Sequence, residues 1–209
     1  NDIRSFYNKI LTRKGIVFSF AGDCKAEVIK QLLDDYLLKL PSGKPFDKKF
    51  KVGNISSKRK FLIKKKGREQ SHIVIGGKSV SLLSPDKYAM IVTEQILSGM
   101  GGRLFLELRD KLSLAYSVGM STQLGVETGY YLLYIGTDPS KIDLAISGMN
   151  NELEKMMTGK ISSSEIQRAK KYILGTHELG KQRNVSRASD YAVNLLYGIK
   201  PCELDLYPE

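Results

Sequence analysis

The feature that most limits how this chain can fold is a two-residue-period run, Ala115–Gln123, followed after a short turn by a second long strand-like run ending at Thr137. In Ala115–Gln123 apolar and small residues alternate, and Thr128–Thr137 carries a second β-rich run after a turn at Gly125. A period of two places alternate side chains of the first run on opposite faces of a strand, and its short turn to the second β-rich run predicts an antiparallel hairpin. Tyr116, Val118 and Met120 are expected on one face, and Ala115, Ser117, Gly119 and Ser121 on the other. Two further strand candidates, Lys60–Lys64 and Ser71–Gly76, flank a turn-like Lys66-Gly67-Arg68, and Gly15–Phe20 is another β-rich run.

Between these runs the apolar period changes to that of a helix. Val28, Leu32 and Tyr36 recur at helical spacing after a capping candidate, Asp23, and Pro41-Ser42-Gly43 ends the pattern. Ser84-Pro85 opens a helix running to the Gly99-Met100-Gly101-Gly102 break, and a shorter helix carries Leu104, Leu108 and Leu112. Asp138-Pro139 leads into a helix with Ala145, Met149, Leu153 and Met156 on one stripe. Ser162–Glu165 starts another, and a last helix covers about 186–197. The order is β-α-β-β-α-α-β-β-α-α-α. Short links between paired strands predict an α+β, two-layer domain with a mainly antiparallel sheet and helices packed on one face.

The chain's 209 residues suffice for a sizeable core without staples. Its net charge of +11 is local: residues 44–68 hold eleven Lys or Arg and one acid, Asp47, and the remainder is nearly balanced. Such a segment, with Phe46, Phe50 and Phe61 interleaved, has the elements of a nucleic-acid contact. No nucleic-acid module surrounds it, and a solvated loop is the simpler account. An electrostatic pull on an acidic partner or substrate is its other use. No apolar run is long enough to span a membrane. Cys24 and Cys202 read as two unpaired thiols.

The catalytic motifs are conspicuous by their incompleteness. The two histidines, His72 and His177, form no zinc pattern: four residues after His177, where a zincin helix would carry its second ligand, stands Lys181. Gly77-Lys78-Ser79 ends like a phosphate loop, but the first glycine such a loop requires is His72. The glycines at 99–102 follow a helix rather than a strand, which excludes a dinucleotide fingerprint. No serine sits in Gly-x-Ser-x-Gly. No metal or cofactor site is expected within this chain.

The run Gly101-Gly102-Arg103-Leu104-Phe105, continuing through Arg109 to Leu114-Ala115-Tyr116-Ser117-Val118, resembles a signature of the insulinase/pitrilysin family of zinc metallopeptidases, which includes mitochondrial processing peptidases and many bacterial zinc proteases. The similarity extends to Asp2–Tyr7, Gly15–Asp23, Leu40–Gly43, Gln70–Ile73, Gly129–Tyr131, Thr137–Pro139 and Glu165–Lys170, nearly the whole chain. Family members usually have Gly where this chain has Ser113. The resemblance implies the non-zinc-binding, C-terminal-type domain. It further implies residues 1–14 as the end of an inter-domain linker helix, residues 15–209 as the substrate-holding domain, and a fragment of a longer protein inactive by itself. Zinc would reside in a partner domain or subunit, and the two halves, or a dimer, would close around a peptide like a clamshell. It implies that Arg109 and Tyr116 reach the substrate near the scissile bond, Arg109 to position it and Tyr116 to stabilise the oxyanion. The alternatives are a catalytically inactive, peptidase-like structural subunit and, less favoured, a nucleic-acid-binding module using 44–68.

Overall fold

The structure is a computed structural model that describes residues 1–46, 50–53, 59–63, 65, 67–200 and 207. The chain divides into two compact units: Asn1–Phe50 with Thr176–Glu209, and Lys51–Gly175.

The second unit holds the sheet. Strands β1 (Ser71–Ser79), β2 (Ala115–Gln123) and β3 (Gly129–Thr137) form an antiparallel sheet in the order β1-β3-β2, so the hairpin is present and β3 is central. One sheet face supplies Ile73, Ile75, Val118, Met120, Leu133 and Ile135 to the core. Helices α3 (Lys87–Leu97) and α4 (Ile142–Met157) cover it with Leu97, Ala145 and Met149, joined by Leu104 and Leu108 from the helix between α3 and β2. The expected two-layer α+β arrangement is therefore present. Gly77 lies in β1 opposite Tyr131, where a Cβ would stand 2.7 Å from the Tyr131 hydroxyl. Gly77-Lys78-Ser79 is thus strand rather than phosphate loop.

The helix bearing Arg109 departs from α geometry. Residues Phe105–Lys111 are wound as a π-helix, in which each turn takes up an extra residue. The phase therefore slips along its length. Leu104 and Leu108 are fully buried, but Leu112, expected on the same stripe, is 46% exposed and Leu114 takes the buried place. The helix closes with Ser113 N–H donating to the Arg109 carbonyl (3.0 Å) and Leu114 N–H to the Leu108 carbonyl (2.8 Å). Each bond spans one residue more than in a Schellman cap, as the wider winding requires. Ser113 occupies the left-handed region that such a cap demands, with φ 48°.

The start of this segment is clamped. Arg103 Nε and Nη2 donate to the two Glu165 carboxylate oxygens at 2.5 and 2.9 Å, and Nη2 also reaches the Lys160 carbonyl. Glu165 in turn closes a capping box with Ser162 at the head of α5 (Ser163–Lys181): Ser162 N–H donates to Glu165 Oε2, and Glu165 N–H to Ser162 Oγ. The Arg103 hydrogen bonds chiefly, helped by Ser162, hold the Glu165 carboxyl down at about 2. The outer edge of β2 is also closed by side chains. Ser98 Oγ donates to the Met120 carbonyl and accepts from its N–H, and Glu94 Oε2 accepts from Thr122 N–H.

The first unit contains helices α1 (Asp2–Ile10), α2 (Ala26–Leu37) and α6 (Asn184–Leu196), and the end of α5. Arg13 Nε and Nη2 cap the last carbonyls of the α2 region, at Leu40 and Leu38. Three expectations fail at the local level. Gly15–Phe20 forms no strand: Ile16 is extended (φ −112°, ψ 135°), but this unit offers no second strand among the described residues to complete a ladder. Residues 60–63 lie outside the sheet with Phe61, Leu62 and Ile63 exposed, and Lys64 falls outside the described residues. The residue preceding α2 is Lys25, with no side-chain cap, in place of Asp23. Cys24 is a free, exposed thiol; Cys202 is outside the described residues.

Two outcomes follow for stability. Ser113→Gly is expected to raise the unfolding free energy by about 0.5–1 kcal/mol, because a left-handed residue with a Cβ costs more than the added chain entropy of glycine; urea denaturation would measure it. Glu165→Gln is expected to cost about 2–3 kcal/mol at neutral pH. The folded-state pKa is depressed, so the contribution is complete above the ordinary value of 4.5 and fades as pH falls towards about 2. The stability gap between wild type and variant should close over that window.

Candidate functional site

Tyr116 stands where the pattern of β2 breaks. The register with β3 runs Ala115 opposite Thr137 and Ser117 opposite Gly136, leaving Tyr116 as the extra residue of a β-bulge. The bulge reverses the phase read from the sequence. Val118 and Met120 face the core, and so does Ala115, whereas Tyr116 turns outward and is 81% exposed. Thr137, itself buried, fixes the bulge from behind by donating its hydroxyl to the Leu114 carbonyl at 2.7 Å.

Arg109 approaches from the π-helix. Its guanidinium carbon lies 4.6 Å from the Phe105 ring centroid and 5.0 Å from that of Tyr116. The structure thus brings together the two residues singled out from the sequence and adds Phe105, to which the sequence reading assigned no role of its own. Phe105 and Arg109 are four residues apart, a neighbour spacing on any helix, and that was the available signal. The guanidinium is held by rings rather than by acids: neither it nor the Tyr116 hydroxyl has a hydrogen bond or ion pair among the described residues. An Arg oriented through its planar face keeps its N–H fork free for carbonyl oxygens, which a lysine cannot imitate. The phenol beside it is a neutral donor for an oxygen gathering negative charge.

The described residues do not fit a zinc centre. Among the described residues no three His, Cys, Asp or Glu side chains group as metal ligands. His72 Nδ1 is paired with the Tyr134 hydroxyl at 2.8 Å. The His177 ring stacks on Tyr207 with centroids 4.4 Å apart, and the neighbouring Glu178 is ion-paired with Lys181 at 3.1 Å.

The family model described as the peptidase M16 inactive domain matches residues 1–173. The chain belongs to that family. An uncharacterized zinc protease of Streptomyces coelicolor is 27% identical over 184 residues, covering 85% of this chain and 40% of the relative. A Helicobacter pylori protein named as a non-peptidase homolog is 25% identical over 193 residues, covering 90% of this chain and 43% of its own length. The solved structure of a peptidase M16 inactive domain from Pseudomonas fluorescens superposes with a TM-score of 0.75 at 17% identity, over 90% of this chain and 45% of that one. This M16 chain therefore spans less than half the length of these relatives. Its α+β fold is that of M16 inactive domains, and several of its relatives are named uncharacterized zinc proteases.

If the sandwich serves the site rather than the fold, its removal should be cheap. Arg109→Met is expected to change the unfolding free energy by no more than about 1 kcal/mol, the scale of an exposed cation–π contact. A loss of several kcal/mol in chemical denaturation would make Arg109 a structural residue.

Proposed function

We propose that this M16 domain is the substrate-holding part of a zinc metallopeptidase. In this reading the hydrolytic chemistry belongs to a zinc-bearing half of the parent protein, outside this chain. Arg109 orients a peptide carbonyl with its free N–H fork. The Tyr116 hydroxyl donates to the oxygen that gains charge as the amide is attacked. The observation that carries the reading is the Phe105–Arg109–Tyr116 stack, which presents two unengaged donors on an outward bulge. A salt-bridged arginine or an inward tyrosine would have no such capacity.

The bulge and the π-helix support the same reading. Both are irregularities that occur preferentially beside functional sites, because each re-aims a side chain at a cost in regular pairing. The division into residues 1–14 as linker and 15–209 as holding domain is part of the proposal, as is closure of two halves around the peptide. A second reading, a peptidase-like subunit without activity, is favoured by the relative named as a non-peptidase homolog.

In the full-length parent protein Tyr116→Phe is expected to lower kcat about 100-fold, with KM and thermal stability little changed. Loss of one oxyanion donor is of that order. Full turnover in the variant would remove the Tyr116 hydroxyl from the chemistry. A parent protein that cleaves no unfolded peptide when supplied with zinc would support the non-catalytic reading.

A further inference from the structure

Among the described residues the sheet face opposite the core is largely exposed, and its composition is one-sided. Its rows across β1, β3 and β2 are Lys78–Tyr130–Gln123, Gly76–Leu132–Ser121, Val74–Tyr134–Gly119 and His72–Gly136–Ser117. Val74 is 61% and Tyr130 53% exposed. The three strands contain no Asp or Glu. The nearest acids in sequence, Glu69, Glu127 and Asp138, lie on the connecting segments. The full cation of the face is Lys78, at one end; Arg109 sits beside Tyr116, at the bulge that adjoins the Ser117 row at the other end.

The two positive ends are six residue steps apart along the strands, about 20 Å, and lie on opposite edges of the sheet, Lys78 on β1 and Arg109 beside Tyr116 of β2, two strand spacings or about 10 Å across. Between them lie Val74, Leu132 and Tyr134, with Tyr130 beside Lys78, apolar and aromatic surface to which the strands themselves contribute no acid; Glu94, at the outer edge of β2, is engaged by Thr122 N–H. An extended peptide advances by the same rise per residue as the strand beneath it. A peptide that crosses the face obliquely from β2 to β1, its carbonyl held at Arg109 and Tyr116, would therefore set a side chain about six residues away near Lys78.

We propose that this face is a recognition wall for an extended peptide segment that bears an acidic side chain about six residues from the carbonyl held at Tyr116, with apolar or aromatic residues between. The inference rests on the substrate-holding role proposed above and specifies its substrate class. Charge complementarity selects the occupant: a peptide with lysine at that position would meet like charge, and the strands offer no carboxylate to receive it. The ring faces of Tyr130 and Tyr134 supply area for the intervening side chains.

The test uses the full-length parent protein and two fluorescein-labelled unfolded peptides of one sequence, differing only in Glu or Lys six residues from the cleaved or docked bond. Binding is read by anisotropy and cleavage by kcat and KM. The wild type is expected to bind the Glu peptide about fivefold or more tightly, with the gain in KM rather than kcat and a decline at high salt. Lys78→Gln should abolish the preference, and Lys78→Glu should reverse it. Equal binding of the two peptides, or a preference indifferent to both substitutions, overturns the wall. Binding preference without cleavage would support the wall and overturn the catalytic reading; cleavage without preference would do the opposite. The two proposals thus fail separately.

Discussion

The geometry of the site depends on how Leu114 is held. Its N–H is bonded to the Leu108 carbonyl, its carbonyl receives the Thr137 hydroxyl, and its side chain is buried in the core. Three kinds of restraint therefore meet on one residue, between the end of the π-helix and the bulge of β2. Arg109 is displayed just before this point and Tyr116 just after it. Their rings and guanidinium can stack because the chain between them has no freedom to shift. A hydroxyl buried with its acceptor is costly to leave unpaired, so Thr137 makes the bulge a defined feature rather than a fraying strand end.

Much of the architecture was legible because it rests on periodicity. The β2–β3 hairpin, the stripe of Ala145 and Met149, and the helix headed by Ser162 and Glu165 follow from apolar spacing and end signals that the packed core then uses. What failed has two causes. Gly15–Phe20 and Lys60–Lys64 carry strand composition, but a strand also needs a partner, which composition does not specify. Leu112 and Tyr116 were misplaced for a different reason. A π-helix and a β-bulge each add one residue to a regular repeat, and a single added residue moves every later side chain out of phase.

The same shift explains why Arg109 and Tyr116 could be found only through the signature that contains them. Periodicity would have assigned Tyr116 to the core face with Val118 and Met120. The bulge instead sends it outward while Ala115 and Val118 both remain against the core. Ser113 shows the cost of the arrangement. The cap needs a left-handed residue, a position glycine fills without strain, and this chain places a serine there at φ 48°.

The two faces of the sheet divide the work. The inner face is filled by Ile73, Ile75, Leu133 and Ile135, whose loss would be felt as cavities and lowered stability. On the outer face Val74, Tyr130 and Lys78 are exposed, and changes there touch little of the packing. Because strand side chains alternate, selection on one face leaves the other free to vary. A substrate preference can then be rewritten along β1 and β3 without re-solving the fold. Arg109 and Tyr116 lie at the boundary of these two regimes, carried on elements fixed by the core but directed away from it. Such a site keeps its geometry when the surrounding surface is altered, which is the condition a holding domain must meet if different peptides are to present their carbonyls at one place.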